Sequence, residues 1–273
     1  MRNLLPLLLL LASSARADEV SLGKALVERD KLEDAVAVLE KAIAGKAKQN
    51  PEAYVALGKA CIGTDRLARA HEVLAEALRL APDSYDALLL RGLALDMDHR
   101  SAEAISFLER ATLRSPERPE AHASLGLAHL SQGNAKAAAS SLETANQLAP
   151  GKVATLVDLG YALVTSGEPG KAIEVLQQAL TKDSKNVDAL CILGDALAAT
   201  GQTEKSREAY ERAIARDSKH VRAFFHLGLL HAKQGDQQKA IQAFEAALAI
   251  DPSCSSCRAA LDRAKKAPVK MRE

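Results

Sequence analysis

Apolar residues return along this chain in paired helical rhythms. In stretches such as Tyr54, Leu57, Cys61 and Leu190, Leu193, Leu197 they fall three or four residues apart, which gathers them on one face of an α-helix. Polar breaks follow, at 131–134, 166–169 and 200–203, and then a second stretch carries Ala and Leu at the same spacing. Each pair of stretches predicts a helical hairpin. Pro82, Pro116, Pro150 and Pro252 mark the ends of second helices, because proline lacks the amide proton that a continuing helix would use.

The hairpins repeat in register. Gly23, Gly58, Gly92, Gly126, Gly160, Gly194 and Gly228 form one column, with a first step of 35 residues and five further steps of 34. Twelve residues after each Gly comes a small residue: Ala35, Ala70, Ala104, Ala138, Ala172, Ser206 and Ala240. Four further on stands a large one: Leu39, Leu74, Leu108, Leu142, Leu176, Tyr210 and Phe244. Three beyond that, Ala recurs every time, from Ala42 to Ala247. Such a period is the mark of a repeat array. The small columns imply close backbone approach where the helices of a hairpin cross, with Leu39 and its equivalents filling the space beside the crossing.

These columns resemble the tetratricopeptide repeat, with Leu-Gly, then Ala, then Leu or an aromatic, then Pro at the family's spacings. Leu precedes the Gly in six units, and Arg91 stands there in the third. The resemblance implies an all-α fold, a right-handed α-solenoid of seven antiparallel helix pairs closed by a C-terminal capping helix. The units run at about 18–50, 51–84, 85–118, 119–152, 153–186, 187–220 and 221–254, with the capping helix and a basic tail in 255–273. Glu19 takes the place of the usual aromatic in the first unit, which reads as a weaker capping repeat.

Residues 1–17 read as a secretory signal peptide. Arg2 supplies the positive start, 4–11 is an apolar run interrupted by Pro6, and Ala15-Arg16-Ala17 offers a small-x-small cleavage site. A membrane span needs roughly 20 apolar residues, and this run has under half that. No Cys near the cut marks a lipoprotein, and no later stretch is long and apolar enough to span. Export to the periplasm or beyond, with cleavage after Ala17, is the expectation.

Composition adds restrictions. Without Arg2 and Arg16, the 36 Lys and Arg fall to 34 against 35 Asp and Glu, interspersed along every helix. Phosphate neutralisation needs a basic excess, so nucleic acid is not an expected partner. No metal-ligand spacing, nucleophile motif or phosphate-cradling Gly loop occurs, so neither a catalytic residue nor a metal or cofactor is assigned. His129 and His231 lie in a column otherwise filled by Leu26, Leu95, Leu163 and Leu197, and so read as core or interface histidines.

In the tetratricopeptide family the first helices line a concave face. The resemblance therefore implies that positions three before, one after and four after each column Gly face a groove for a partner protein's helix or extended segment. The candidates are Leu89, Leu93 and Leu127, then Val157, Tyr161, Asp195, Phe225 and Leu229. That face is mostly apolar from the third unit onward. A carboxylate clamp of Lys and Asn is not supported, since its places hold Lys24, Lys59 and Leu93 with no Asn. Cys254 and Cys257 are a candidate disulfide just before the last helix, while Cys61 and Cys191 should stay free and semi-buried. The function expected is a non-catalytic protein-interaction scaffold of the cell envelope. The alternative is an accessory factor in thiol-redox or cofactor maturation using the Cys254/Cys257 pair. Nothing in the pattern sets an oligomeric state.

Overall fold

A computed structural model of the chain describes residues 18–266; residues 1–17, on which the expected signal peptide falls, and the end of the basic tail, 267–273, lie outside the described residues. The described residues form fifteen α-helices and no strand. Their contacts divide the chain into two compact units, 1–134 and 135–273, and the division falls in the turn between the two helices of the fourth repeat.

The first unit holds α1 (Glu19–Glu28), α2 (Leu32–Ala44), α3 (Pro51–Gly63), α4 (Leu67–Leu80), α5 (Tyr85–Met97), α6 (Ser101–Arg114) and α7 (Pro119–Ser131). The odd-numbered helices are the first helices of their repeats. Of these, α1, α3 and α5 each pack on their own second helix and also on the next first helix, whereas the second helices α2, α4 and α6 touch the first helices flanking them. The second unit holds α8 (Ala135–Leu148), α9 (Val153–Ser166), α10 (Pro169–Lys182), α11 (Val187–Ala199), α12 (Thr203–Arg216), α13 (Val221–Gln234), α14 (Gln237–Ile250) and α15 (Ser255–Lys266). Here α9, α11 and α13 are again the stacked first helices, and α15 covers α14.

Local chemistry explains where first helices begin. Asp18, Asn50, Ser84 and Asn186 accept a backbone N–H from the first turn, and Pro opens α3 and α7. The turn inside each hairpin uses one left-handed residue, seven after the column Gly. It is Asp30, Asp65 and His99 in the first three repeats, each at φ 58°, and Gly133, Gly167, Gly201 and Gly235 in the next four. A left-handed residue lets the chain reverse in a single step, and glycine adopts it without a Cβ penalty.

Packing at the column glycines refines the expectation for the crossings. The large residue of the second helix sits directly on the glycine rather than beside it. A Cβ built on Gly92 would stand 2.5 Å from Leu108 Cγ, and one on Gly194 would stand 2.4 Å from Tyr210 Cε1. Glycine is thus a socket for a side chain from the partner helix. Leu39, Leu74, Leu108, Leu176, Tyr210 and Phe244 are accordingly almost wholly buried.

α15 lays Cys257, Ala260, Leu261 and Ala264 inward and turns Arg263, Lys265 and Lys266 to its last turn, where cations suit the helix dipole. Its apolar residues join Phe244 and Ala240 of α14 in one cluster. An uncovered final hairpin would leave that cluster in water, and a polar-faced end removes the exposure.

Candidate functional site

The first helices of the N-terminal unit enclose a cavity of about 860 Å³. Val27, Val55, Leu89 and Leu93, from α1, α3 and α5, form its apolar lining. Charged groups interrupt that lining in both signs. Lys24 pairs with Glu52, and Arg118 reaches Asp86 at 3.1 Å and Glu120 at 3.7 Å. The Arg118 guanidinium also lies 3.9 Å over the Tyr85 ring, whose hydroxyl accepts the N–H of Ala121. Lys59 lines the same cavity, exposed and in no ion pair among the described residues. An amphipathic segment could lay apolar side chains on Leu89 and Leu93 and offer an acidic group to Lys59.

Of the sequence-predicted groove residues, Leu89 and Leu93 meet at this cavity, Leu89 mostly buried and Leu93 half-buried. Leu127, on α7, is exposed and is not part of the lining. In the C-terminal unit Tyr161 and Leu229 are exposed, and Val157 and Phe225 are half-buried, with Phe225 packed 6.0 Å from the Phe244 ring.

Asp195 departs from the expectation of a free groove residue. Its carboxylate is 10% exposed and already fully engaged: Tyr210 donates its hydroxyl at 2.6 Å, Arg222 a guanidinium N–H at 2.7 Å, and His226 Nδ1 stands 2.7 Å away. Burial pushes this carboxyl upward, but His226, Tyr210 and Arg222 together hold it below the usual aspartate range. Tyr210 is in turn held protonated by its own burial and by the Asp195 charge. The same Arg222 guanidinium extends over the Tyr161 ring at 5.2 Å, so it ties α13 to both α11 and α9. This is a buried polar clasp that orders the face rather than a set of open ligands. Sequence reading missed Arg222, His226 and Tyr210. The available signal was the sixth repeat's departure from its columns, with Ser206 where Ala otherwise stands and Tyr210 where Leu or, in the seventh repeat, Phe244 stands; the Ser206 hydroxyl also donates to the Gly194 carbonyl at 2.8 Å.

An apolar lining therefore already lies in repeats one to three, ahead of the mainly apolar stretch expected from the third unit onward. Lys24 and Lys59 occupy the position after the column Gly that Leu93 and Leu127 fill later. Their stems line the cavity while their ammonium groups supply its positive charge.

The four cysteines divide as pairs. Cys254 and Cys257 are joined in a disulfide at the N-terminus of α15. Cys61 and Cys191 are free, and both are wholly buried rather than semi-buried. Burial, and the nearby Asp195, push the Cys191 thiol up to about 12, which makes it an inert core residue at neutral pH. His231, in the Leu column, is buried with Nδ1 unpartnered, and burial holds the imidazole below its ordinary value. No group of three or more His, Cys, Asp or Glu among the described residues could hold a metal ion. None of the described helices is long and apolar enough to cross a membrane.

Comparisons with known proteins agree with this architecture. A family profile described as the cilia and flagella-associated protein 70 C-terminal domain matches residues 12–221, and a tetratricopeptide repeat profile matches 193–253. No curated protein sequence matches. Among solved structures, the Cut9-Hcn1 hetero-tetramer of the APC/C aligns with a TM-score of 0.70 at 18% identity, over 94% of this chain and 50% of that one. The chain thus spans half the length of that relative. The protein pilF of Pseudomonas aeruginosa aligns at 0.63 with 18% identity, over 81% of this chain and 100% of that one. YrrB, described as a TPR protein with an unusual peptide-binding site, aligns at 0.56 with 20% identity, over 71% and 100%. These likenesses concern the fold. With one family profile covering most of its length and its column residues packed as sockets and plugs from hairpin to hairpin, the chain belongs to the tetratricopeptide repeat family.

Proposed function

We propose that the protein is a non-catalytic scaffold that holds a segment of a partner protein in the cavity of its N-terminal unit. The observation that carries this reading is the 860 Å³ cavity itself, in which apolar Val27, Val55, Leu89 and Leu93 stand beside the exposed Lys59. Its size and its mix of apolar walls with a few placed charges suit a peptide segment. The family and fold support a protein partner, and YrrB, a fold relative, has a peptide-binding site of its own. The segment we infer is extended or helical, with two apolar side chains flanking an acidic one. Selection of displayed random peptides on the purified chain tests this. Enriched peptides should combine apolar and acidic residues, and Leu93→Asp and Lys59→Glu should each weaken them by about tenfold or more, or roughly 1.4 kcal/mol. Selected peptides that bind both variants as well as the parent overturn the proposal.

The proposed place of action is the cell envelope, outside the cytoplasm. The support is the leader pattern of residues 1–17 together with a disulfide at Cys254–Cys257, since such bonds persist in oxidising compartments. Expressed from its first Met in a Gram-negative host, the protein should fractionate with the periplasm and carry Asp18 as its new N-terminus. Cytoplasmic protein with an intact leader refutes this assignment.

A further inference from the structure

The Cys254–Cys257 bridge is outside the scaffold reading and independent of it. It sits where α15 starts: the Cys254 carbonyl accepts the Arg258 N–H at 3.1 Å, which makes Cys254 the residue that caps the helix. The two sulfur-bearing residues differ in access. Cys254 is half-exposed, whereas Cys257 is wholly buried on the face that α15 lays against the last hairpin. Donors also converge on one of them. The Cys257 N–H points at Cys254 Sγ at 3.2 Å, and the Ser256 hydroxyl stands 3.4 Å from the same atom. The loop before them is braced, because Asp251 accepts the Ser253 N–H at 2.9 Å and its hydroxyl at 2.7 Å.

We propose that Cys254–Cys257 is a thiol–disulfide exchange site, with Cys254 the sulfur that a dithiol on another protein attacks. The two sulfur-bearing residues are unequal, Cys254 half-exposed and Cys257 sheltered, and the donors gather on the more accessible one. Those features are what exchange requires. The incoming thiolate must reach one sulfur, and the thiolate later expelled there must be stabilised, as the first-turn N–H and the positive end of the α15 dipole would do. In the forward direction the partner's thiolate bonds to Cys254 Sγ, the Cys254–Cys257 bond breaks, and its electron pair leaves on Cys257 Sγ, which takes a proton from solvent. The partner's second thiolate then attacks the partner sulfur of this mixed disulfide and expels Cys254 as a thiolate. Two electrons have passed: the partner dithiol ends as a disulfide and this chain as a dithiol. The reverse sequence oxidises Cys254 and Cys257 again at the expense of a partner disulfide.

Dithiothreitol serves as the dithiol probe on the folded full chain, with alkylation and mass spectrometry locating the thiols. The bridge should open without denaturant while the helical circular dichroism persists. In the reduced protein at slightly acid pH, Cys254 should be alkylated about tenfold ahead of Cys257, with Cys61 and Cys191 silent as internal controls. The single-thiol variants give a second reading. Cys257→Ser, which leaves Cys254, should form a mixed disulfide with an aryl disulfide about tenfold faster than Cys254→Ser does. Reduction that proceeds only as fast as the chain unfolds overturns the proposal, as does equal labelling of the two cysteines. If either serine variant loses its helicity, the site-resolved labelling of the reduced parent alone decides between these outcomes.

Discussion

At single positions, the column glycines show how one missing methyl group sets a helix crossing. Glycine in a helix interior ordinarily costs about 1 kcal/mol relative to alanine. At Gly92 the balance reverses, because an added Cβ would fall 2.5 Å from Cγ of the wholly buried Leu108. Gly92→Ala should therefore destabilise the protein by about 1–3 kcal/mol despite the better helix propensity. Gly170 is the control: it lies in α10, and a Cβ there would meet nothing within 4 Å. Gly170→Ala should hold or raise stability, by up to about 1 kcal/mol. Urea denaturation of both variants measures the contrast; two changes of the same sign would show that the column glycines are not sockets. Recurrence at 34 residues made the glycines legible in sequence. What each glycine accommodates was not, because the second helix's approach is a matter of three dimensions.

At the scale of the helix, most first helices announce their starts with a capping side chain, although α7 and α9 do not. The starts of α1, α3, α5 and α11 carry side-chain caps, so Asp18, Asn50, Ser84 and Asn186 mark them in sequence. The second helices α2, α4, α6, α10, α12 and α14 begin without a side-chain cap hydrogen bond. They are positioned instead by the left-handed turn before them. Gly133, Gly167, Gly201 and Gly235 advertise that turn, but Asp30, Asp65 and His99 make it with residues that sequence pattern does not single out. The apolar faces of second helices were readable all the same, because the Ala-Leu-Ala columns repeat at helical spacing.

For the molecule as a whole, energetic influence should travel from hairpin to hairpin and fade, since a repeat array is held by nearest-neighbour packing. The Asp195 clasp provides the test. Asp195→Ala strands Tyr210, Arg222 and His226 without their shared acceptor, and about 2–3 kcal/mol of stability should be lost, discounted for the partial exposure of Arg222. Hydrogen exchange should accelerate in α9 to α13 and stay unchanged in α1 to α5; uniform acceleration along the chain would contradict local coupling. The pH dependence follows from the sign of the shift. A carboxyl held below its ordinary 3.8 contributes fully above that value and loses its contribution as pH falls through the lowered one. The difference between parent and Asp195→Ala should thus shrink as pH falls below about 4.

The sequence by itself determined the number and order of the helix pairs, because each repeat obeys the same local rule: an apolar stripe at helical spacing, a glycine socket, a bulky plug and a turn. Local rules leave their mark wherever they are repeated, and seven repetitions made this one unmistakable. Tertiary structure alone decided which first-helix side chains remain available to a partner. Asp195 looks free in its own helix, and becomes a buried clasp only because Tyr210 reaches it from the paired helix and Arg222 and His226 from the next repeat. Lys59 looks like any solvated lysine until α1, α3 and α5 enclose a cavity beside it. Availability is a property of neighbours a full repeat away, and no window of sequence around a residue contains them.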